Sequence, residues 1–156
     1  MAFTRPGLLV AAEACSADPV RRQDDPMSDA VDPRNRLNDL SNREWLKETK
    51  SFWLSQAPPR SALKAQHPAT FSERDVARLI CLFTKRGARV LDPFVGSGST
   101  LIACAGHGRI GVGIELSPKW ATIARGRLLE EAGLEDTNQV LIEADTREAL
   151  PKLEPE

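Results

Sequence analysis

The residues with the most chemical promise stand together, Gly96-Ser97-Gly98-Ser99-Thr100 directly after Asp92-Pro93-Phe94-Val95. A glycine-rich turn between a strand and a helix lets the backbone approach a ligand closely. It also aims the free N–H groups of the helix start at that ligand. The glycine spacing alone describes a plain structural turn equally well, and three acids narrow the reading. Asp92 falls at the carboxyl end of a strand, facing the crevice where open parallel sheets bind ligands. A carboxylate there repels a pyrophosphate and suits a cationic amine. Glu115 ends the next strand, 17 residues after Gly98, where an acid can accept from both hydroxyls of a ribose. Asp145 follows a third strand, in position to accept from an exocyclic amine. A nucleoside with a positively charged amino-acid tail fits this set better than a dinucleotide does. A dinucleotide fingerprint wants a third glycine where Leu101 stands, and a phosphate-binding loop wants a lysine that does not follow Gly98.

The elements that must position these residues alternate regularly. Residues 89–91 read as a strand, 99–106 as a helix of small and apolar residues, and 110–115 as a second strand. Residues 118–132 read as a helix with proline in its first turn, and 140–142 as a third strand. Strand, helix, strand, helix, strand with short connections means a parallel sheet with helical crossovers. Upstream, Ser72 with Asp75 three residues on has capping-box-like spacing. Val76, Leu79, Ile80 and Phe83 then give a helix over 73–85, which Lys85-Arg86-Gly87 ends with a left-handed glycine. Ser41 or Asn42 caps an earlier helix with Trp45, Leu46, Thr49, Phe52 and Trp53 on one side, ended by Ala57-Pro58-Pro59-Arg60. Residues 1–40 lack periodicity and read as a disordered leader, leaving one ordered unit over 41–156. Met27 is a plausible alternative start.

At 156 residues with 41% hydrophobic content the chain suits one domain with a real core. The net charge of −1 conceals an uneven distribution. Residues 34–89 hold 12 Lys/Arg against 5 Asp/Glu, while residues 130–156 hold 2 against 9. The basic stretch suits either phosphate contact or a solvated helix face. Cys15, Cys81 and Cys104 are scattered and lack metal-ligand spacing, so reduced thiols, no metal and a cytoplasmic setting are expected. No apolar run approaches the ~18 residues of a membrane span, and the short run over 7–15 is interrupted by Glu13.

With those residues in place, the chain resembles bacterial DNA amino-methyltransferases, which methylate adenine N6 or cytosine N4 using S-adenosylmethionine. Val90-Leu91-Asp92-Pro93-Phe94-Val95-Gly96-Ser97-Gly98-Ser99-Thr100 resembles their cofactor motif, and the Asp-Pro-Phe form argues against a parent acting on RNA, protein or a small molecule. His67-Pro68-Ala69-Thr70-Phe71-Ser72 resembles the segment that closes over the cofactor. Gly111-Val112-Gly113-Ile114-Glu115-Leu116-Ser117 resembles the ribose-binding motif. Leu37-Asn38-Asp39-Leu40-Ser41-Asn42-Arg43-Glu44-Trp45-Leu46-Lys47 is similar to one bacterial branch. The resemblance spans roughly residues 36–150 and implies a Rossmann-like S-adenosylmethionine-dependent methyltransferase fold, an α/β partial parallel sheet flanked by helices.

The resemblance also implies roles. Asp92 and the backbone of Gly96, Ser97 and Gly98 hold the methionine end of S-adenosylmethionine, and Pro93, Phe94, Ser99 and Thr100 also belong to the cofactor site. Glu115, with Leu116, takes the ribose; Asp145 accepts from the adenine amine; Phe71 packs on the cofactor. His67 either contacts the cofactor or only shapes a turn beside Pro68. Trp120 is expected in the core and His107 in a plain loop. The Asp/Asn/Ser-Pro-Pro-aromatic motif through which these enzymes polarise the target amine and stack the flipped base is missing from this sequence. Ala57-Pro58-Pro59-Arg60 lacks both acceptor and aromatic. The motif order places the catalytic segment soon after residue 150. The reading is therefore a cofactor-binding fragment, with DNA as partner through the complete enzyme. The alternative is a noncatalytic cofactor- or DNA-binding remnant working with a second chain, such as the missing C-terminal part.

Overall fold

A computed structural model describes residues 29–55, 59–132 and 138–153. The leader expected over 1–40 lies outside the described residues as far as residue 28. Beyond it the chain is laid against the body rather than free. Asn38 is fully buried, and its amide donates to the Leu82 carbonyl at 2.6 Å. Helix α1, Asn42–Glu48, begins at a complete capping box: Ser41 Oγ accepts from the Glu44 N–H, and Glu44 Oε2 accepts from the Ser41 N–H. The helix is shorter than its apolar spacing predicts. The stop expected at Ala57-Pro58 lies outside the described residues, and the helix has ended before it. Thr49 is its C-cap, with both its N–H and its hydroxyl donating to the Trp45 carbonyl. Phe52 is consequently 70% exposed, and Trp53 turns back to donate to the Glu48 carbonyl and stack under Arg78.

Helix α2, Glu73–Phe83, starts at Ser72, whose hydroxyl accepts from the Asp75 N–H. Its buried residues are Ala77, Ile80 and Leu82, with Leu79 and Phe83 left exposed. The inner face is thus rotated from the expected one. Ala77 and Ile80 meet Ala103 and Cys104, with Val76 and Val90 beside them, so the small residues set the close approach. Gly87 is left-handed as expected, at φ 81°, but it does not end α2. The helix ends earlier, at the C-cap Thr84, whose backbone is extended while its N–H and hydroxyl donate to the Ile80 carbonyl.

Three strands form the sheet: β1 (Arg89–Asp92), β2 (Ile110–Glu115) and β3 (Val140–Glu143), parallel and in that order. Between them run α3 (Ser99–Gly106) and α4 (Pro118–Ala132), with the short α5 (Thr146–Ala149) after β3. The parallel Rossmann-like sheet flanked by helices is as expected. Register sets Asp92 beside Gly113 and Glu115 beside Glu143, so the carboxyl ends of the strands share one rim. A second cluster, Val95, Leu101 and Leu128 with Leu141 and Ile102 around it, fills the space between the sheet and α3–α4. Gly113 makes room for it, since a Cβ there would lie 2.8 Å from the Val95 side chain. No helix among the described residues is long and apolar enough to cross a membrane, and none of their acids, histidines and cysteines cluster for a metal.

The cysteines divide. Cys104 is fully buried, and burial pushes its thiol up to about 11, which makes it unreactive. Cys81 is only half-buried, and its sulfur lies 3.6 Å from His107 Nδ1. His107 follows the last residue of α3 as its cap.

Candidate functional site

The glycine turn joins β1 to α3 by geometry that only glycine holds easily. Gly96 and Gly98 have φ of 54° and 84°, a region that costs other residues about 1–2 kcal/mol. Gly98 caps α3, and a Cβ on it would stand 3.1 Å from Ala124 of α4. Gly96 lies directly under the His67 ring, whose Nε2 would be 3.3 Å from an added Cβ. The turn expected at His67 is present, its Nδ1 accepting from the Ala69 N–H, and its ring lies over the glycine loop. The Trp120 ring meets His67 edge-on at 4.4 Å. Trp120 is half-buried, not core as its place on α4 suggested, because this contact draws it toward the rim.

The two strand-end acids beside the turn also build it. Asp92 Oδ1 accepts from the Phe94 N–H at 3.0 Å, and its Oδ2 accepts from the Thr100 hydroxyl at 2.5 Å. Glu115 Oε2 accepts from the Gly96 N–H at 2.9 Å, and Oε1 from the Ser117 N–H at 2.8 Å. Each carboxylate oxygen keeps lone-pair capacity for a ligand donor. Asp145 caps α5 and is clasped by Arg147 at 2.6 Å. Hydrogen bonds from the Arg147 side chain and backbone hold its carboxyl down at about 2. Arg147 is 89% exposed, so it is the partner with freedom to move.

Phe94, Glu115, Leu116 and Asp145 line one cavity of about 330 Å³, with Ile114, Thr146 and Arg147. Four of the residues expected to bind a cofactor thus meet around one space. A larger apolar cavity of about 450 Å³ between α2 and α3 holds none of the three strand-end acids. Phe71 and Phe94 are each 78% exposed and available to pack on a ligand. Thr70 was not anticipated; its hydroxyl is buried without a hydrogen-bond partner beside Phe71. Ser97 and Ser99 point inward and offer a ligand only backbone. The Pro93 carbonyl is taken by the Thr146 hydroxyl.

Beneath the turn lies an ion cluster that the sequence reading missed. Arg127 is fully buried and donates to the Ser97 carbonyl at 2.8 Å and to Glu73 at 2.6 Å. Glu73 also accepts from Ser99 at 2.7 Å and pairs with the buried Lys64. Burial alone would raise the Glu73 carboxyl, but hydrogen bonds from Lys64, Arg127 and Ser99 outweigh it and hold the group at about 2 against an ordinary 4.5. A depressed carboxylate contributes stability that is complete above its unfolded pKa and is lost as pH falls through its folded one. The expected loss between pH 4.5 and 2 is on the order of 3 kcal/mol. Urea unfolding across that window should show wild type losing stability faster than Glu73→Gln; parallel losses would remove Glu73 as the source.

A family model described as DNA methylase matches residues 14–126. Type II methyltransferase M.Cfr9I of Citrobacter freundii is 44% identical over 78 residues, 50% of this chain and 25% of that protein. Type II methyltransferase M.ScaI of Streptomyces caespitosus is 38% identical over 78 residues, 50% of this chain and 26% of its own. A Thermus thermophilus protein assigned as a DNA modification methylase, in its selenomethionine form, has a TM-score of 0.50 and 30% identity. That match covers 65% of this chain and 39% of the other. The same protein complexed with S-adenosyl-L-methionine gives a TM-score of 0.42 and 37% identity over 47% of this chain and 30% of its own. The chain spans about a quarter of the length of the curated relatives it matches.

Proposed function

Since the chain belongs to the DNA methylase family, we propose that its strand-end crevice holds S-adenosylmethionine for methyl transfer to adenine N6 or cytosine N4 of DNA. On this reading the chain supplies the part that binds the donor, and the residues acting on the target amine are not among its own. The observation that carries the proposal is the tie between turn and acids. Glu115 holds the Gly96 N–H while lining the same cavity as Asp145, Phe94 and Leu116.

The residues fit this ligand in charge and shape. Asp92 at the end of β1 faces a cationic amino-acid tail favourably, and Glu115 has an acceptor for each ribose hydroxyl. Asp145 can accept from the adenine amine while Arg147 pairs with its outer side, and Phe71, Phe94 and Leu116 offer apolar cover. When bound, the donor supplies an electrophilic methyl on sulfur. The chain orients that group through the turn and shields it with the His67 and Phe71 segment. DNA is the partner on this reading. From the basic stretch the exposed Lys47, Lys50, Arg60 and Arg74 can reach its phosphates, whereas Lys64 is buried against Glu73 and Arg78 is paired with Glu48.

Calorimetry with S-adenosylmethionine tests the assignment. Glu115→Ala should weaken binding by about tenfold to a hundredfold, the scale of charge-assisted hydrogen bonds. Unchanged affinity in the folded variant would remove Glu115 from the site. A second reading, a noncatalytic subunit working with another polypeptide, draws on the sheet. Leu91 and Val140, in register with Val112 on one face, are 47% and 45% exposed. Both readings expect no methyl transfer by the chain alone, so a methylation assay tests what they share, and transfer to DNA without a partner would overturn both.

A further inference from the structure

The segments that carry the proposed ligand contacts are far apart in sequence, yet they meet on one guanidinium. Arg127 lies on the inner face of α4 with no exposed surface. Its Nη1 donates to the Ser97 carbonyl at 2.8 Å and reaches Ser97 Oγ at 3.2 Å and Ser99 Oγ at 3.4 Å. Its Nη2 donates to Glu73 at 2.6 Å and to Glu131 at 3.0 Å, while Nε donates to Glu131 at 3.0 Å. Glu73 opens α2 two residues after Phe71. It also takes Lys64, from the 3-10 turn Lys64–Gln66 that leads into His67. Glu131 in turn accepts from Ser61 at 2.9 Å.

We propose that Arg127 is a positioning residue for the donor site, fixing the glycine turn and the segment from His67 to Phe71 in one relative placement. The proposal rests on the reading that this turn and segment hold S-adenosylmethionine. A buried ion cluster is a weak device for stability alone, because well-packed apolar residues often serve as well or better. What it supplies is geometry. A guanidinium presents five donors in a rigid plane, so it satisfies a carbonyl and two carboxylates at fixed angles. A lysine offers a point charge on a flexible stem and cannot span the same partners. The Ser97 carbonyl, drawn inward, ties the turn to the same group that holds the start of α2. Loss of the fork therefore frees two walls of the site together.

Three measurements on the full chain decide it: urea unfolding, hydrogen–deuterium exchange of the turn amides without ligand, and calorimetry with S-adenosylmethionine. Arg127→Lys is expected to speed exchange over residues 96–99 and to weaken the donor by about tenfold or more each, one hydrogen-bond equivalent. Arg109→Lys is the control. Arg109 is also buried, but it holds Thr84 and His107 at the opposite end of β2. Its loss should lower stability while leaving turn exchange and affinity within about twofold of wild type. If folded Arg127→Lys behaves like that control, the proposal is overturned. Ser99→Ala removes one link of the cluster without changing charge and should shift both readouts in the same direction by less. Wild-type exchange and affinity in Ser99→Ala would overturn the proposal even if Arg127→Lys does not fold. Absence of donor binding by wild type would reject the donor-site reading, while the exchange measurement would still decide whether Arg127 sets the turn.

Discussion

Arg127→Ala is expected to lower the unfolding free energy by about 3–5 kcal/mol, the range for removing one partner of a buried ion pair. Domains of this size have only about 5–15 kcal/mol in hand, so the variant should be close to unfolding at ambient temperature. The cost does not come from the net worth of the salt bridge. It comes from what remains: Glu73 keeps Lys64 and Ser99 but loses its bond at 2.6 Å, and the Ser97 carbonyl stays buried without that donor. Glu131, nearer the surface, loses least because water replaces its partner. Burial on its own would lower the Arg127 pKa, but Glu131 and Glu73 outweigh it and raise it; the group stays charged wherever the chain is folded. A double-mutant cycle with Glu73→Gln should therefore show coupling of about 1–3 kcal/mol, because both changes act on one network. Strict additivity of the two losses would mean that the pair is not a working contact.

This arginine was hard to see in the sequence for a physical reason. Arg125-Gly126-Arg127 sets its two arginines about 200° apart on a helix, so one can face in and the other out, and composition alone does not say which. The spacing did hold a signal: Arg127 falls three residues after Ala124 and four after Ile123, both of which are buried. An arginine on that face needs a buried acid, and Glu131 stands four residues later. The second acid, Glu73, lies 54 residues away, and no periodicity can show such a pairing. Asn38 is a like case, ordered by a carbonyl 44 residues away although its segment reads as disordered.

Local chemistry was legible where the chain needs special backbone. Two left-handed glycines start α3, Pro118 starts α4, and an alternation of apolar strands and small-residue helices lies around them. There the expected bounds of α3, β2 and α4 match the structure. Prediction failed at the ends of α1 and α2. Thr49 and Thr84 are the C-caps there, and the chain has already left helical backbone at both. The expected helices ran on past both. For the site, Glu115, Asp145, Phe94 and Leu116 do come together around one cavity. The inward turn of Ser97 and Ser99 depended on Arg127 and so was hidden with it.

Asp92→Asn is expected to cost S-adenosylmethionine affinity while sparing adenosine, and the contrast carries the assignment. At about 4 Å and an effective dielectric near 20, a carboxylate and a cation attract by about 4 kcal/mol before desolvation is subtracted. A net loss of about tenfold to a hundredfold is therefore reasonable for the charged ligand. Adenosine lacks the cationic tail, so the charge of Asp92 should hardly matter to it. The substitution is not purely electrostatic, because Asp92 accepts from both the Phe94 N–H and the Thr100 hydroxyl. An asparagine can accept only through its single oxygen, and its amide then faces one of those donors. Any loosening of the turn from that cause should weaken both ligands alike. Calorimetry with the two ligands thus separates the roles: a selective loss assigns Asp92 to the cationic tail of the donor. Equal losses would make it a structural cap of the turn, and the crevice would then have to be read without its sign. Glu115→Ala is the complementary control, since it should weaken both ligands through the ribose that they share.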